Sequence, residues 1–211
     1  MPLLLYCVAL EPAGDTTVNG IGGAAVRSSK QNDWKFFFSE ITTDELSASD
    51  IVTAAQQVHA VVSDIFARAP VLPFRYPTTV AGEGELAAMA TARGDAFRIY
   101  FQRVQSKVQM DVRLTSAETG VPAETGRAYL EGRARRQAQL SAAAENCRQA
   151  APSAEWRIQQ RGENIRCQAL ISRVEVISFF ERMSALKLPE GVKAAVSGPW
   201  PPAGFWEDEP R

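Results

Sequence analysis

Catalysis or metal binding needs a base, a nucleophile or a ligand set, and this sequence offers little of each. His59 is its single histidine, so any Ser-His-Asp or Cys-His arrangement has to use that residue. It follows Val58 in a stretch of helical periodicity, at the rim of the apolar face. That position predicts a packed helix histidine hydrogen-bonded to a strand; the functional alternative is a general base in a cleft between two halves of the chain. Cys7, Cys147 and Cys167 are odd in number and widely spaced. This argues against a disulfide framework and a zinc knuckle, and for buried free thiols in a reducing cytosol. No HExxH, GxSxG or CxxC spacing occurs. The cluster Gly20-Ile21-Gly22-Gly23 lacks the Lys-Ser/Thr of a phosphate loop and does not open a helix. Glu83 and Glu85, on either side of Gly84, read as helix N-terminal charges favoured by the dipole. The residues therefore assign no catalytic, cofactor-binding or metal-binding site, and the expectation is a protein that is not an enzyme and carries no cofactor.

Two features suit a partner instead. Arg127, Arg133, Arg135, Arg136 and Arg148 oppose only Glu131 and Glu145 on one candidate helix. The readings are a solvated face or a protein-partner surface. Nucleic acid ranks below both, because no aromatic side chains interleave with the arginines for base stacking. The other feature is the end of the chain, Gly198-Pro199-Trp200-Pro201-Pro202 followed by Phe205-Trp206 and Glu207-Asp208-Glu209. Prolines fix φ and cannot donate to a ladder, which predicts a stiff segment leaving the sheet after Ser197. Trp200 is then a large anchor, either folded onto the chain's own sheet or presented to a partner. The candidate partner-binding residues are Arg127, Arg133, Arg135, Arg136, Trp200, Phe205 and Trp206.

The elements that must hold these residues follow from periodicity. The chain has 211 residues, 45% hydrophobic and 22% charged, with a net charge of −1. That balance buries a core but supplies no global field for nucleic acid or an anionic membrane. Residues 3–10 form a continuous apolar run ended by Glu11-Pro12, which predicts a buried strand rather than a leader or a membrane helix. Residues 12–32 read as a loop with a weak strand near 23–27. Residues 33–41 are a strong aromatic strand. Helix starts are offered by Thr42-Thr43-Asp44-Glu45 and by Ser49-Asp50. A helix to Arg68 should bury Ile51, Ala55, Val58, Val62, Ile65 and Ala69. Residues 71–80 form a strand that its two prolines place at an edge or bend. A helix over 85–105 follows, which Gly94 weakens or splits.

The second half begins near Lys107 with alternating Val108, Met110, Val112 and Leu114. Next come a polar loop over 116–126, a helix over 127–149, a hairpin over 155–172, a helix over 175–186 and a strand over 192–197. This β-α-β-β-α-β order is that of a ferredoxin-like unit. The expectation is an α+β protein of two ferredoxin-like α/β sandwich units with antiparallel sheets, an N-terminal domain over 1–106 and a C-terminal one over 107–211 that includes the Pro/Trp-rich tail.

Several stretches resemble, in order, those of the gas vesicle protein GvpF/GvpL family. They are Tyr6-Cys7-Val8-Ala9-Leu10, Phe36-Phe37-Phe38-Ser39-Glu40, His59 within its helix, Val71-Leu72-Pro73-Phe74-Arg75, Gly126-Arg127-Ala128-Tyr129-Leu130 and Ser197-Gly198-Pro199-Trp200-Pro201-Pro202. The resemblance implies a non-enzymatic minor vesicle component or assembly factor, cytoplasmic and on gas vesicles. It implies as partners the hydrophobic shell protein GvpA and accessory Gvp proteins, with no role for nucleic acid or membrane. A soluble protein that covers an aggregation-prone shell subunit limits its premature association. The alternative is a protein-binding module recruited elsewhere in a cell without gas vesicles.

Overall fold

The computed structural model describes residues 1–42, 50–116 and 125–206. Most of the start proposed at 42–45 and most of the polar loop at 116–126 fall outside these residues, as do Glu207, Asp208 and Glu209. Two compact units are present: Met1–Ser106 joined by the tail from Pro201, and Lys107–Trp200. Both are α+β with antiparallel sheets. The sequence reading groups the tail with the second unit. The structure packs it on the first, because Phe205 finds a buried site there.

The first unit is built on β1 (Leu3–Leu10), whose residues are buried up to Ala9. A strand buried this completely needs cover on both faces, which explains a run without alternation. β3 (Trp34–Glu40) pairs on one side of it, and β2 (Arg27–Gln31) lies outside β3. β2 falls C-terminal to the weak strand expected at 23–27. Its sequence, Arg-Ser-Ser-Lys-Gln, is polar on both faces, which suits an edge and hides it from hydrophobic periodicity.

On the other side of β1 the expected strand over 71–80 is divided into β4 (Val71–Pro73) and β5 (Thr79–Val80). β4 ends the sheet. Pro73 offers no N–H there, and the Val71 carbonyl is taken by the buried Tyr100 hydroxyl at 3.2 Å. The edge is thereby closed to further strands.

Helix α1 (Ile51–Phe66) starts at Asp50, whose carboxylate accepts from Thr53 N–H at 3.0 Å. Its buried residues are Ala54, Val61, Val62, Ile65 and Phe66. The face expected from Ile51, Ala55 and Val58 is corrected: Ile51 is 71% exposed. Phe66 brings more apolar area to the core than the small Ala55, so the helix is turned to bury it.

Helix α2 (Glu83–Val104) runs unbroken through Gly94, with Glu83 and Glu85 in its first turn. Phe97 and Phe101 reach Trp34 at ring distances of 5.4 and 5.6 Å, so α2 covers the Trp34/Phe36 face of the sheet. A methyl group at Gly94 would stand 3.5 Å from Trp34 Nε1, an ordinary contact. Gly94→Ala should therefore stabilise the first unit by about 0.5–1 kcal/mol through helix propensity. A higher urea midpoint is the expected result, and a lower one refutes it.

The second unit orders its strands β7 (Glu155–Arg161), β8 (Asn164–Ser172), β6 (Lys107–Ser116), β9 (Val192–Trp200). With α3 (Gly126–Ala150) and α4 (Val176–Ser184) placed between them in the chain, the order β-α-β-β-α-β stands. Val108, Met110, Val112 and Leu114 meet Ile171, Ala169, Cys167 and Ile165 across the central pair, and all are buried. Leu140, Ala143, Ala144 and Cys147 of α3 and Phe179 and Met183 of α4 complete the core.

β9 does not end at Ser197. It continues to Trp200, which pairs with Gln109 past a bulge. Gly198 makes this possible: its φ is 128°, and a Cβ there would come within 2.9 Å of the Gln109 carbonyl oxygen. Only glycine tolerates both. Among the described residues no helix is long and apolar enough to cross a membrane.

Candidate functional site

Each residue considered for chemistry lies in a setting that explains it otherwise. His59 is exposed, against Ser63 Oγ at 3.3 Å on the next turn of α1. The expected packing of the histidine is corrected, because the core-facing stripe of α1 passes on its other side. Cys7, Cys147 and Cys167 are buried free thiols. Burial pushes Cys147 up to about 11 and Cys167 up to about 12, the latter raised further by Cys147 nearby. A thiol held protonated is a poor nucleophile at neutral pH.

The glycine cluster has a packing role. Tyr6 and Ser39 lie on the sheet face opposite Trp34 and Phe36, and the Tyr6 hydroxyl donates to Ser39 Oγ at 3.0 Å. It accepts from Ile21 N–H at 3.2 Å, while Ser39 Oγ donates to the Ala25 carbonyl at 3.0 Å. Gly20 lies so close that a Cβ would stand 1.9 Å from the Tyr6 oxygen. The glycine lets the backbone close over a buried phenol.

What remains exposed is the N-terminal half of α3. Thr125 caps it, accepting from Ala128 N–H at 3.2 Å. From Gly126 to Arg135 every residue is exposed except half-buried Gly132. Arg127 pairs with Glu131 at 2.8 Å, both well exposed. Arg133 and Arg136 border a shallow pocket with Gln160, Gly162 and Glu163 at the tip of the β7–β8 hairpin. Arg135 is exposed. The four arginines thus share one solvated stretch of helix. At the opposite end of α3, Arg148 is bound to Glu145 at 2.8 Å.

The C-terminal candidates are divided between the units. Trp200 is half-buried on β9, with Nε1 donating to Ser197 Oγ at 3.3 Å. Phe205 is buried, 1% exposed, under the Arg103 guanidinium, which donates to its carbonyl at 3.4 Å. As a surface contact Phe205 is corrected to a core anchor: a free Phe would leave a large apolar area in water. Trp206 is half-buried, its ring 5.5 Å from Phe97 and 5.6 Å from Tyr100.

Trp206 also walls a groove of about 460 Å³ in the first unit, with Phe74, Met89 and Phe97 as apolar lining and Arg75 and Arg93 beside them. Sequence reading missed this groove. Its signal was present as Leu72-Pro73-Phe74-Arg75, but the tail that forms its other wall is remote in the chain.

Comparison with known proteins gives two concordant findings. The profile of the gas vesicle synthesis protein GvpL/GvpF family matches residues 2–164. The fold is similar to the crystal structure of gas vesicle protein GvpF from Anabaena sp. PCC7120, with a TM-score of 0.78 at 13% identity, covering 99% of this chain and 97% of that one. It is also similar to gas vesicle protein GvpF from Microcystis aeruginosa, with a TM-score of 0.75 at 14% identity, covering 98% and 99%. No curated protein matches the chain by sequence.

Proposed function

The chain belongs to the GvpL/GvpF family of gas vesicle synthesis proteins, and from that premise we propose that it binds the hydrophobic shell protein GvpA and limits its aggregation while vesicles nucleate. Membership carries a role in gas vesicles, association with other gas vesicle proteins, and a family of vesicle proteins rather than enzymes. The finer reading adds the shell protein as the bound partner, other accessory Gvp proteins as neighbours, and the cytoplasm and the vesicle as the places of action.

The observation that supports this reading is the arginine-rich stretch of α3, where exposed Arg133 and Arg135 and half-buried Arg136 fall within a single turn. A cationic stretch of helix beside apolar side chains suits a partner that exposes apolar surface with acidic margins. Trp200 and Trp206, both half-buried, are secondary candidates for contact.

Co-expression with a GvpA-type shell protein tests the reading. The chain should raise the soluble fraction of the shell protein and co-purify with it. Charge reversal at Arg133, Arg135 and Arg136 together should cut recovery about tenfold, and added salt should do the same progressively. Recovery of insoluble shell protein alone, with or without the chain, removes the proposal.

A further inference from the structure

The core stripe of α3 does not stop where its burial stops. Leu140, Ala143, Ala144 and Cys147 are buried against the sheet. Two turns before Ala143 and Ala144 stand Arg136 and Gln137, and two turns earlier again stand Tyr129 and Leu130. Seven residues make nearly two full turns, so these pairs share one side of the helix. Tyr129 is 47% and Leu130 is 62% exposed. Beyond the half-buried polar pair Arg136 and Gln137, the same side of the helix presents Tyr129 and Leu130 as an exposed apolar pair.

This stretch continues the packed half of α3 in one unbroken helix. Among the described residues, the Thr125 cap and the Arg127–Glu131 pair add side-chain bonds to it. Nothing in that support requires Tyr129 and Leu130 to be apolar. A partner that packs on them does.

Charge decides which partner. A second copy of this chain would bring Arg133 and Arg136, which share the side of Tyr129 and Leu130, against their counterparts, which costs affinity. Insertion into a membrane interface calls for a continuous apolar face, which Arg133, Arg136 and Gln137 interrupt here. A helix with an apolar stripe and acidic flanks answers both features: its apolar residues seat on Tyr129 and Leu130, and its carboxylates meet the arginines. We propose that the projecting half of α3 docks an acidic amphipathic helix of a partner, with Tyr129 and Leu130 as the apolar anchors. The proposal rests on the partner-binding reading above and names the partner's chemistry at that surface.

The probe is a labelled synthetic peptide of about three heptads, with leucine at the seam and glutamate on its flanks. Its counterpart carries lysine in place of glutamate. Each is titrated with the full chain by fluorescence anisotropy. The acidic peptide should bind and the lysine peptide should not. Tyr129→Ser with Leu130→Ser should weaken binding about tenfold or more, with the circular dichroism of the chain unchanged because both residues are exposed. Arg133→Glu with Arg136→Glu should weaken it likewise and steepen the loss with pH as the peptide carboxylates ionise.

Equal binding of both peptides overturns the proposal. So does unchanged affinity after the Tyr129/Leu130 change, a preference for phosphatidylglycerol vesicles, or a dimer of the chain that Leu130→Ser dissolves. Failure to bind the acidic peptide while the chain still solubilises a shell protein defeats the helix docking alone. Binding of that peptide by a chain with no effect on any shell protein supports the docking and defeats the gas vesicle partner instead.

Discussion

Phe205→Ala should lower the stability of the first unit by about 3–5 kcal/mol, the range for truncating a large buried aromatic side chain. Phe205 is 1% exposed, Arg103 lies over its ring at 5.9 Å, and the next residue packs Trp206 against Phe97 and Tyr100. Removing the side chain leaves a cavity that rigid aromatic neighbours fill poorly. For a unit of this size the expected fall in Tm is on the order of 10–20 °C. Deleting the chain from Pro201 onward should do at least as much. Hydrogen exchange locates the effect: amides of β1 and α2 should exchange faster, while those of β6 and β8 keep their protection. Loss of protection in β6 and β8 instead would mean that the tail serves the second unit, and no loss anywhere would mean that Phe205 anchors nothing.

Gly20→Ala is the other substitution with a large expected cost, about 3 kcal/mol, the upper end for forcing extra atoms into a packed site. A methyl group there would stand 1.9 Å from the Tyr6 oxygen and 2.8 Å from Ser39 Oγ. Neither can retreat, because Tyr6 is fully buried in the central strand and Ser39 is 1% exposed. Relief requires moving the loop backbone, which breaks the bond from Ile21 N–H and leaves a buried hydroxyl poorly satisfied. A double-mutant cycle separates the clash from general loop damage. Tyr6→Phe alone should cost about 1–2 kcal/mol. In the Tyr6→Phe background Gly20→Ala should cost clearly less than in the parent, since the oxygen it strikes is gone. Urea unfolding supplies all four stabilities. Additive costs would show that the close approach is not what demands glycine at this position.

Gly20 also illustrates how a sequence is read. Four residues containing three glycines exclude a phosphate loop by what they lack, and that exclusion needs no structure. The positive reason for one of those glycines depends on a phenol fourteen residues earlier and a serine nineteen residues later. Ser39 is one of the polar residues buried in a strand of aromatics, yet nothing local indicates that its partner is Tyr6. The same holds for His59. Its position beside Val58 suggests a packed ring, but the helix is oriented by Phe66 and Ile65 one to two turns on, and the histidine is left in solvent.

The candidate surface divides in the same way. The cluster of arginines over 127–136 is visible as composition, because charges on a helix need no partner to be counted. That Tyr129 and Leu130 are exposed beside them is invisible, since an apolar residue on an amphipathic pattern is expected to be core. Only the extent of the sheet beneath α3 decides where the core ends. The tail shows the reverse error. Phe205 and Trp206 beside acidic residues read as a surface for partners, and the structure sends Phe205 into the first unit's core.

Short-range patterning determined the two α+β halves, the aromatic strand β3, the long helices and the second unit's strand–helix order. These follow from periods of two and 3.6 residues and from spacings that fit within one element. The tertiary structure alone decided which helix faces turn inward, that polar Arg27–Gln31 is a strand, that β9 continues through Pro199, and that the tail returns to the first unit. Each of these depends on partners far away in sequence, and the apolar area or hydrogen bonds they supply outweigh a local preference worth about 1 kcal/mol or less per residue.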